Sequence, residues 1–141
     1  MLRRMFVLSA LTSWSIGAAA EAGNCGRLMK IKLDHAAVTS AAIITAGSAI
    51  RTSGREELHA AKTDFCRVLV TSRPSADSEI HFELWVPSGG GWNGKFEQVG
   101  NGGFAGSLPY RLMAHVLSLG YAVAGTASDG KGATQILAPM P

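Results

Sequence analysis

Residues 92–106 read WNGKFEQVGNGGFAG. Gly94, Gly100, Gly102, Gly103 and Gly106 interleave with Trp92, Phe96 and Phe104. Glycine lets a backbone come close to a ligand and turn its N–H groups inward with no side chain in the way. The aromatic residues seek burial, so the stretch reads as a shaped loop and not a flexible linker. Two chemistries use such a loop. Gly100-Asn101-Gly102-Gly103-Phe104-Ala105 formally satisfies the dinucleotide pattern G-x-G-x-x-[GA] ahead of a helix. The preceding GKFEQV is a poor buried strand for that unit, and no Gly-Lys-Ser/Thr follows to make a P-loop. Acyl transfer fits better. There, one backbone N–H from a glycine-rich loop and one from the residue after the nucleophile hold the oxyanion of the tetrahedral intermediate.

Positioning this loop falls to the elements on either side. SEIHFELWVP alternates Ile80, Phe82, Leu84 and Val86 with Glu79, His81, Glu83 and Trp85, which predicts a strand closed by Pro87. His81 and Glu83 are expected on its solvent face. SLPYRLMAHVLSLG predicts a helix with Ser107 as cap, Pro109 in the first turn and Gly120 just past the end. Its apolar stripe is expected to run through Leu112, Val116 and Leu119, with His115 near that face. YAVAG, residues 121–125, predicts a short buried strand. Further upstream, RLMKIKL (27–33), residues 41–46 and FCRVLVTSRP (65–74) read as strands. The order strand, glycine loop, helix, strand implies a parallel α/β sheet.

At 141 residues the chain is expected to form one domain. A composition 47% hydrophobic and 16% charged suits a globular protein. The net charge of +3 is spread without a basic stripe, so no nucleic-acid partner is expected. The opening MLRRMFVLSALTSWSIGAAAEA places two arginines before the apolar run Met5–Gly17 and then small residues. It reads as a signal peptide over 1–22, cleaved after Ala20 or Ala22, because the run falls short of the ~20 residues of a membrane span. Export to the periplasm or beyond argues against a nicotinamide cofactor. It also favours a bridge between Cys25 and Cys66, with two buried thiols or a metal pair as the alternatives. His35, His59, His81 and His115 show no ligand spacing with either cysteine.

VPSGGGWNGKFEQVGNGGFAGSL, followed by a helix and GYAVAGT, resembles the N-terminal part of the tannase/feruloyl esterase family of secreted α/β-hydrolases, which includes mono(2-hydroxyethyl) terephthalate hydrolases. The resemblance runs from about Cys25 to Thr126. It implies an α/β fold over 23–141, namely the N-terminal part of an α/β-hydrolase sheet. It implies the family's first disulfide at Cys25 and Cys66, a small aromatic ester as substrate, and no cofactor. It makes Gly103 the oxyanion-hole glycine, donating its backbone N–H, with Gly102 shaping the turn. Trp92 and Asn93 are expected to set loop geometry.

The sequence departs from the family in two ways. TASDGKGA stands where the family has TDTGH, with Lys131 at the expected histidine, so Asp129 carries no assigned role. No G-x-S-x-G elbow occurs in these residues. The family's nucleophile, Asp, His and lid domain with its calcium site lie beyond the matching region. The expectation is therefore an N-terminal fragment, truncated before the elbow, inactive alone and calling for a complementing C-terminal chain. A small exported module that binds an aromatic or sugar ligand without chemistry is the alternative. Intact-mass analysis of chain exported from a bacterial host should show a mature N-terminus at Glu21 or Gly23. Retention of residues 1–22 on a membrane-bound product would contradict it.

Overall fold

The computed structural model describes residues 24–50, 61–100 and 108–128. Among the described residues five strands form one sheet: β1 (Ala36–Ile44), β2 (Phe65–Ser72), β3 (Ile80–Pro87), β4 (Phe96–Val99) and β5 (Ala122–Ser128). One helix, α1 (Tyr110–Ser118), lies between β4 and β5. The spatial order is β1-β2-β3-β5-β4. β1, β2, β3 and β5 pair antiparallel, whereas β4 and β5 run parallel. The sheet is mixed, and the parallel arrangement inferred from the sequence holds for the β4-α1-β5 unit. This order, with its mixture of directions, is a mixed α/β sheet of the class the resemblance implied.

Each face of the sheet has its own cover. On one face α1 sets Met113, Val116 and Leu117 against Phe65, Trp85, Val99 and Val123. Gly125 on β5 permits this approach, since a Cβ there would meet Met113 Sδ at 2.7 Å and Leu108 and Pro109 at 3.3 Å. On the other face Cys25, Cys66, Val68 and Val70 form a second cluster, against which Leu28, Val38, Ile43, Phe82, Leu84 and Val86 pack. The Cys25–Cys66 disulfide, with Cα atoms 5.7 Å apart, ties the N-terminal segment across that face.

Several sequence-based expectations change here. Residues 27–33 are not a strand: Leu28–Lys30 is a 3-10 turn continuing a helical turn at 24–27. Met29, Ile31 and Leu33 are exposed. The disulfide holds this segment across the strands, so its alternation does not reflect a pleat. The strand expected at 41–46 begins at Ala36 and ends at Ile44. The buried stripe of α1 runs through Tyr110, Met113, Val116 and Leu117, leaving Leu112, His115 and Leu119 exposed. The close approach at Gly125 selects that stripe. Gly120 is as expected, with φ +83° just past the helix end. Ser107 and residues 1–23 lie outside the described residues.

β3 differs most. Ile80–Trp85 are paired on both edges, and the side expected to face solvent carries Trp85, fully buried, and Glu83, 4% exposed. Where α1 covers this side of the strand, at Glu83 and Trp85, it does not face solvent, so alternation alone does not assign a solvent side along its whole length. His81 is exposed, as expected.

The disulfide spans 41 residues of sequence. Replacing both cysteines with serine should lower unfolding free energy by about 4 kcal/mol on the chain-entropy estimate. A urea titration followed by tryptophan fluorescence would read this as a lower midpoint.

Candidate functional site

The glycine loop lies at the carboxyl end of β4, at residues 100–107, and the chain re-enters the described structure at Leu108. Ligands of open α/β sheets bind beyond the carboxyl ends of parallel strands. Gly102 and Gly103 lie outside the described residues. What the structure shows is how each end of the loop is held.

The strand that leads into the loop is anchored at its amino end by WNG. Asn93 Nδ2 donates to Leu119 O at 2.9 Å, and Asn93 Oδ1 accepts from Lys95 N at 2.9 Å. Asn93 N donates to Gly120 O at 2.8 Å. Trp92 Nε1 donates to Lys95 O at 2.8 Å, and the same carbonyl accepts from Ala122 N at 3.0 Å. One short motif thus stitches the start of β4 to the end of α1 and the start of β5. Gly94 adopts φ +81°, a region that penalises side chains. Trp92 and Asn93 fix the backbone at the start of β4, whereas residues 101–107 of the loop they were expected to shape lie outside the described residues. Their contacts lie at the amino end of β4.

The far end rests on a buried ion pair that the sequence reading missed. Glu83 Oε1 accepts from Arg67 Nη2 at 2.6 Å and from Tyr110 Oη at 2.8 Å. Glu83 Oε2 accepts from Arg67 Nε at 2.8 Å and from Trp85 Nε1 at 2.9 Å. The side chains of Arg67 and Glu83 are 13% and 5% exposed. Burial pulls the Arg67 pKa down, but the hydrogen bond and charge of Glu83 more than reverse this and hold it above the ordinary arginine value. Tyr110 opens α1 and stacks on Trp85, with ring centroids 6.1 Å apart. Each charge stands alone in an apolar strand, FCRVLV and IHFELWV, and adjacent strands bearing opposite single charges were the available signal.

Beside this pair opens a cleft of about 430 Å³, whose lining includes Arg67, Thr71, His81, Glu83, Leu108 and Ala127. Thr71 Oγ1 and His81 Nδ1 lie 3.2 Å apart in its wall. Leu108 places the loop's exit at the cleft rim. Among the described residues no three His, Cys, Asp or Glu side chains gather to hold a metal ion. No described helix is long and apolar enough to cross a membrane.

Glu83→Ala should cost about 3–5 kcal/mol, because it strands the Arg67 charge in the interior. The paired change Arg67→Met with Glu83→Leu removes both charges and should cost much less. Denaturant unfolding of the three proteins checks the ordering. Equal losses would show that the pair is not the source of the cost.

The comparisons with known proteins agree with this architecture. A sequence model described as tannase and feruloyl esterase matches residues 66–137, just over half of the chain. An uncharacterized esterase of Xanthomonas campestris pv. campestris is 38% identical over 126 residues, covering 89% of this chain and 21% of that protein. A probable feruloyl esterase B-1 of Aspergillus oryzae is 32% identical over 104 residues, covering 69% and 19% respectively. The crystal structure of feruloyl esterase B from Aspergillus oryzae superposes with a TM-score of 0.67 at 30% identity, covering 75% of this chain and 21% of that one. The chain therefore spans about a fifth of the length of the relatives it matches. With the glycine loop set in a β4-α1-β5 crossover and a disulfide where the resemblance implied one, the chain belongs to the tannase and feruloyl esterase family.

Proposed function

We propose that this chain is the N-terminal region of a secreted serine ester hydrolase for phenolic or aromatic esters. The observation that carries the reading is the glycine-rich loop at the carboxyl end of β4, in a member of this family. In the reaction, a serine hydroxyl attacks the ester carbonyl and loses its proton to a base. The carbonyl π pair moves onto oxygen, and collapse of that oxyanion expels the alcohol, which takes the proton back from the base. Water activated by the same base then attacks the acyl-serine to release the acid and restore the serine. The role of this chain is to hold the oxyanion through the backbone N–H of Gly103, with Gly102 shaping the turn. The serine, its base and the acid that orients the base come from a segment these 141 residues do not include. No cofactor enters the scheme.

The shape of the sheet supports a complementing segment. Among the described residues β4 is an edge strand, paired only with β5, and Phe96 on it is 57% exposed. Bare parallel edges bearing apolar side chains normally receive another strand.

The purified chain should not turn over methyl ferulate above background. Co-expression with the nucleophile-bearing segment of the Xanthomonas relative should restore hydrolysis. In that complex Gly103→Pro, which deletes the N–H, should lower kcat by about 10²–10³-fold, whereas Gly103→Ala, which retains it, should cost far less. Turnover by the isolated chain would overturn the division of labour. Equal kcat in the proline variant would remove Gly103 from the oxyanion site. Saturable binding of the ester by the isolated chain, without turnover of any complex, would favour the binding module.

A further inference from the structure

The cleft beside the ion pair has a polar wall that the ester chemistry does not use. Thr71 on β2 and His81 on β3 face each other across the ladder, and Thr71 Oγ1 lies 3.2 Å from His81 Nδ1. The other ring nitrogen, Nε2, lies 3.0 Å from Glu79 Oε1. Glu79 is held in turn by Arg73, whose Nε donates to Oε2 at 2.8 Å. A lone pair on Nε2 would face that negative charge, so the neutral ring carries its proton on Nε2. Nδ1 is then an acceptor, and the Thr71 hydroxyl donates to it. Thr71 is 9% exposed and lines the cleft, so its oxygen presents lone pairs, and no proton, to a ligand there. Glu83 does not compete for a donor, since its two oxygens already accept from Arg67, Trp85 and Tyr110. Leu69, Leu108 and Ala127 add apolar wall.

We propose that this cleft binds a small apolar molecule carrying one hydroxyl, whose O–H donates to Thr71 Oγ1 while its body packs on Leu69, Leu108 and Ala127. A volume of about 430 Å³ falls within the range of small-molecule sites, where a few oriented polar groups on apolar walls fix a ligand's direction. The site selects by polarity. An ether of the same shape sets a lone pair against a lone pair and leaves the Thr71 oxygen with no donor once water is displaced. A phenol and an aliphatic alcohol both supply the donor, and the phenol, with its more acidic proton, is the stronger one. Any part such a molecule has in ester hydrolysis rests on the esterase reading; the polarity of the cleft does not.

The test is an amide chemical-shift titration of the labelled full chain at about pH 8, above the ordinary histidine range. Three isomers serve as probes: para-ethylphenol and phenethyl alcohol, which carry a hydroxyl, and para-methylanisole, whose oxygen is an ether. The phenol should bind about five- to tenfold tighter than the ether, with phenethyl alcohol between them and the shifts centred on Leu69, His81 and Ala127. A tighter phenethyl alcohol would keep the site and make an aliphatic alcohol its ligand. Thr71→Val deletes the acceptor and should bring phenol and ether to within about twofold, and Thr71→Ser should restore the preference. His81→Leu, at an exposed position that folding tolerates, frees the Thr71 proton and should move the preference toward the ether. The proposal is overturned if the wild type binds the ether as tightly as both hydroxyl probes, if no probe saturates, or if the preference survives in Thr71→Val or His81→Leu. Such a failure would leave the Gly103→Pro result untouched. Failure of Gly103→Pro to slow the complex would instead remove the esterase reading and leave the cleft standing.

Discussion

A single carboxylate organises the described structure. Glu83 sits in the interior of the sheet, and an ionised group there costs several kcal/mol unless its lone pairs are satisfied. Arg67 from β2, Trp85 from β3 itself and Tyr110 from α1 satisfy them. Each donor brings a large group with it. Trp85 stacks between Phe65 and Tyr110, at centroid distances of 4.8 and 6.1 Å, so the polar centre and the aromatic core are one object. The position of α1 over the sheet follows from meeting this acceptor as well as from apolar contact.

The rest of the fold supports that centre from its margins. Gly125 lets α1 descend onto β5, and the WNG motif ties the far end of the helix to the start of β4 through Asn93. Gly120 makes that junction possible: its φ is +83°, and a Cβ would lie 2.9 Å from Gly91 O. On the opposite face the disulfide takes the place of a deep core, holding a short helical segment across strands whose Phe82, Leu84 and Val86 are only half-buried. The glycine loop thus springs from a frame fixed at the strand before it and at the helix after it.

Much of this was legible in the sequence where the signal is local. The β3 boundaries and Gly120 past the helix end depend on residues within a few positions of one another, whereas Pro109, expected in the first turn, sits at the cap position before Tyr110. The misreadings share a different character. Residues 27–33 alternate like a strand but contain a 3-10 turn that follows Cys25, the residue bonded to Cys66. The helix stripe passes through Met113 and not Leu112 because Gly125, on another element, sets the contact. Glu83 passes for a surface residue because alternation in an interior strand carries no information about which face meets water.

The sequence by itself determined the glycine-rich loop, its family and the elements around it, since these follow from short-range backbone and side-chain chemistry. Only the tertiary structure decided that Glu83 is buried, that Arg67 is its counter-charge, and that Tyr110 reaches both. The reason is register. Pairing β2 with β3 places Arg67 opposite Trp85 and Leu69 opposite Glu83, on the face that α1 covers. Sequence spacing within a strand orders its residues along one line, but the partner across the ladder is chosen by the packing of the whole sheet.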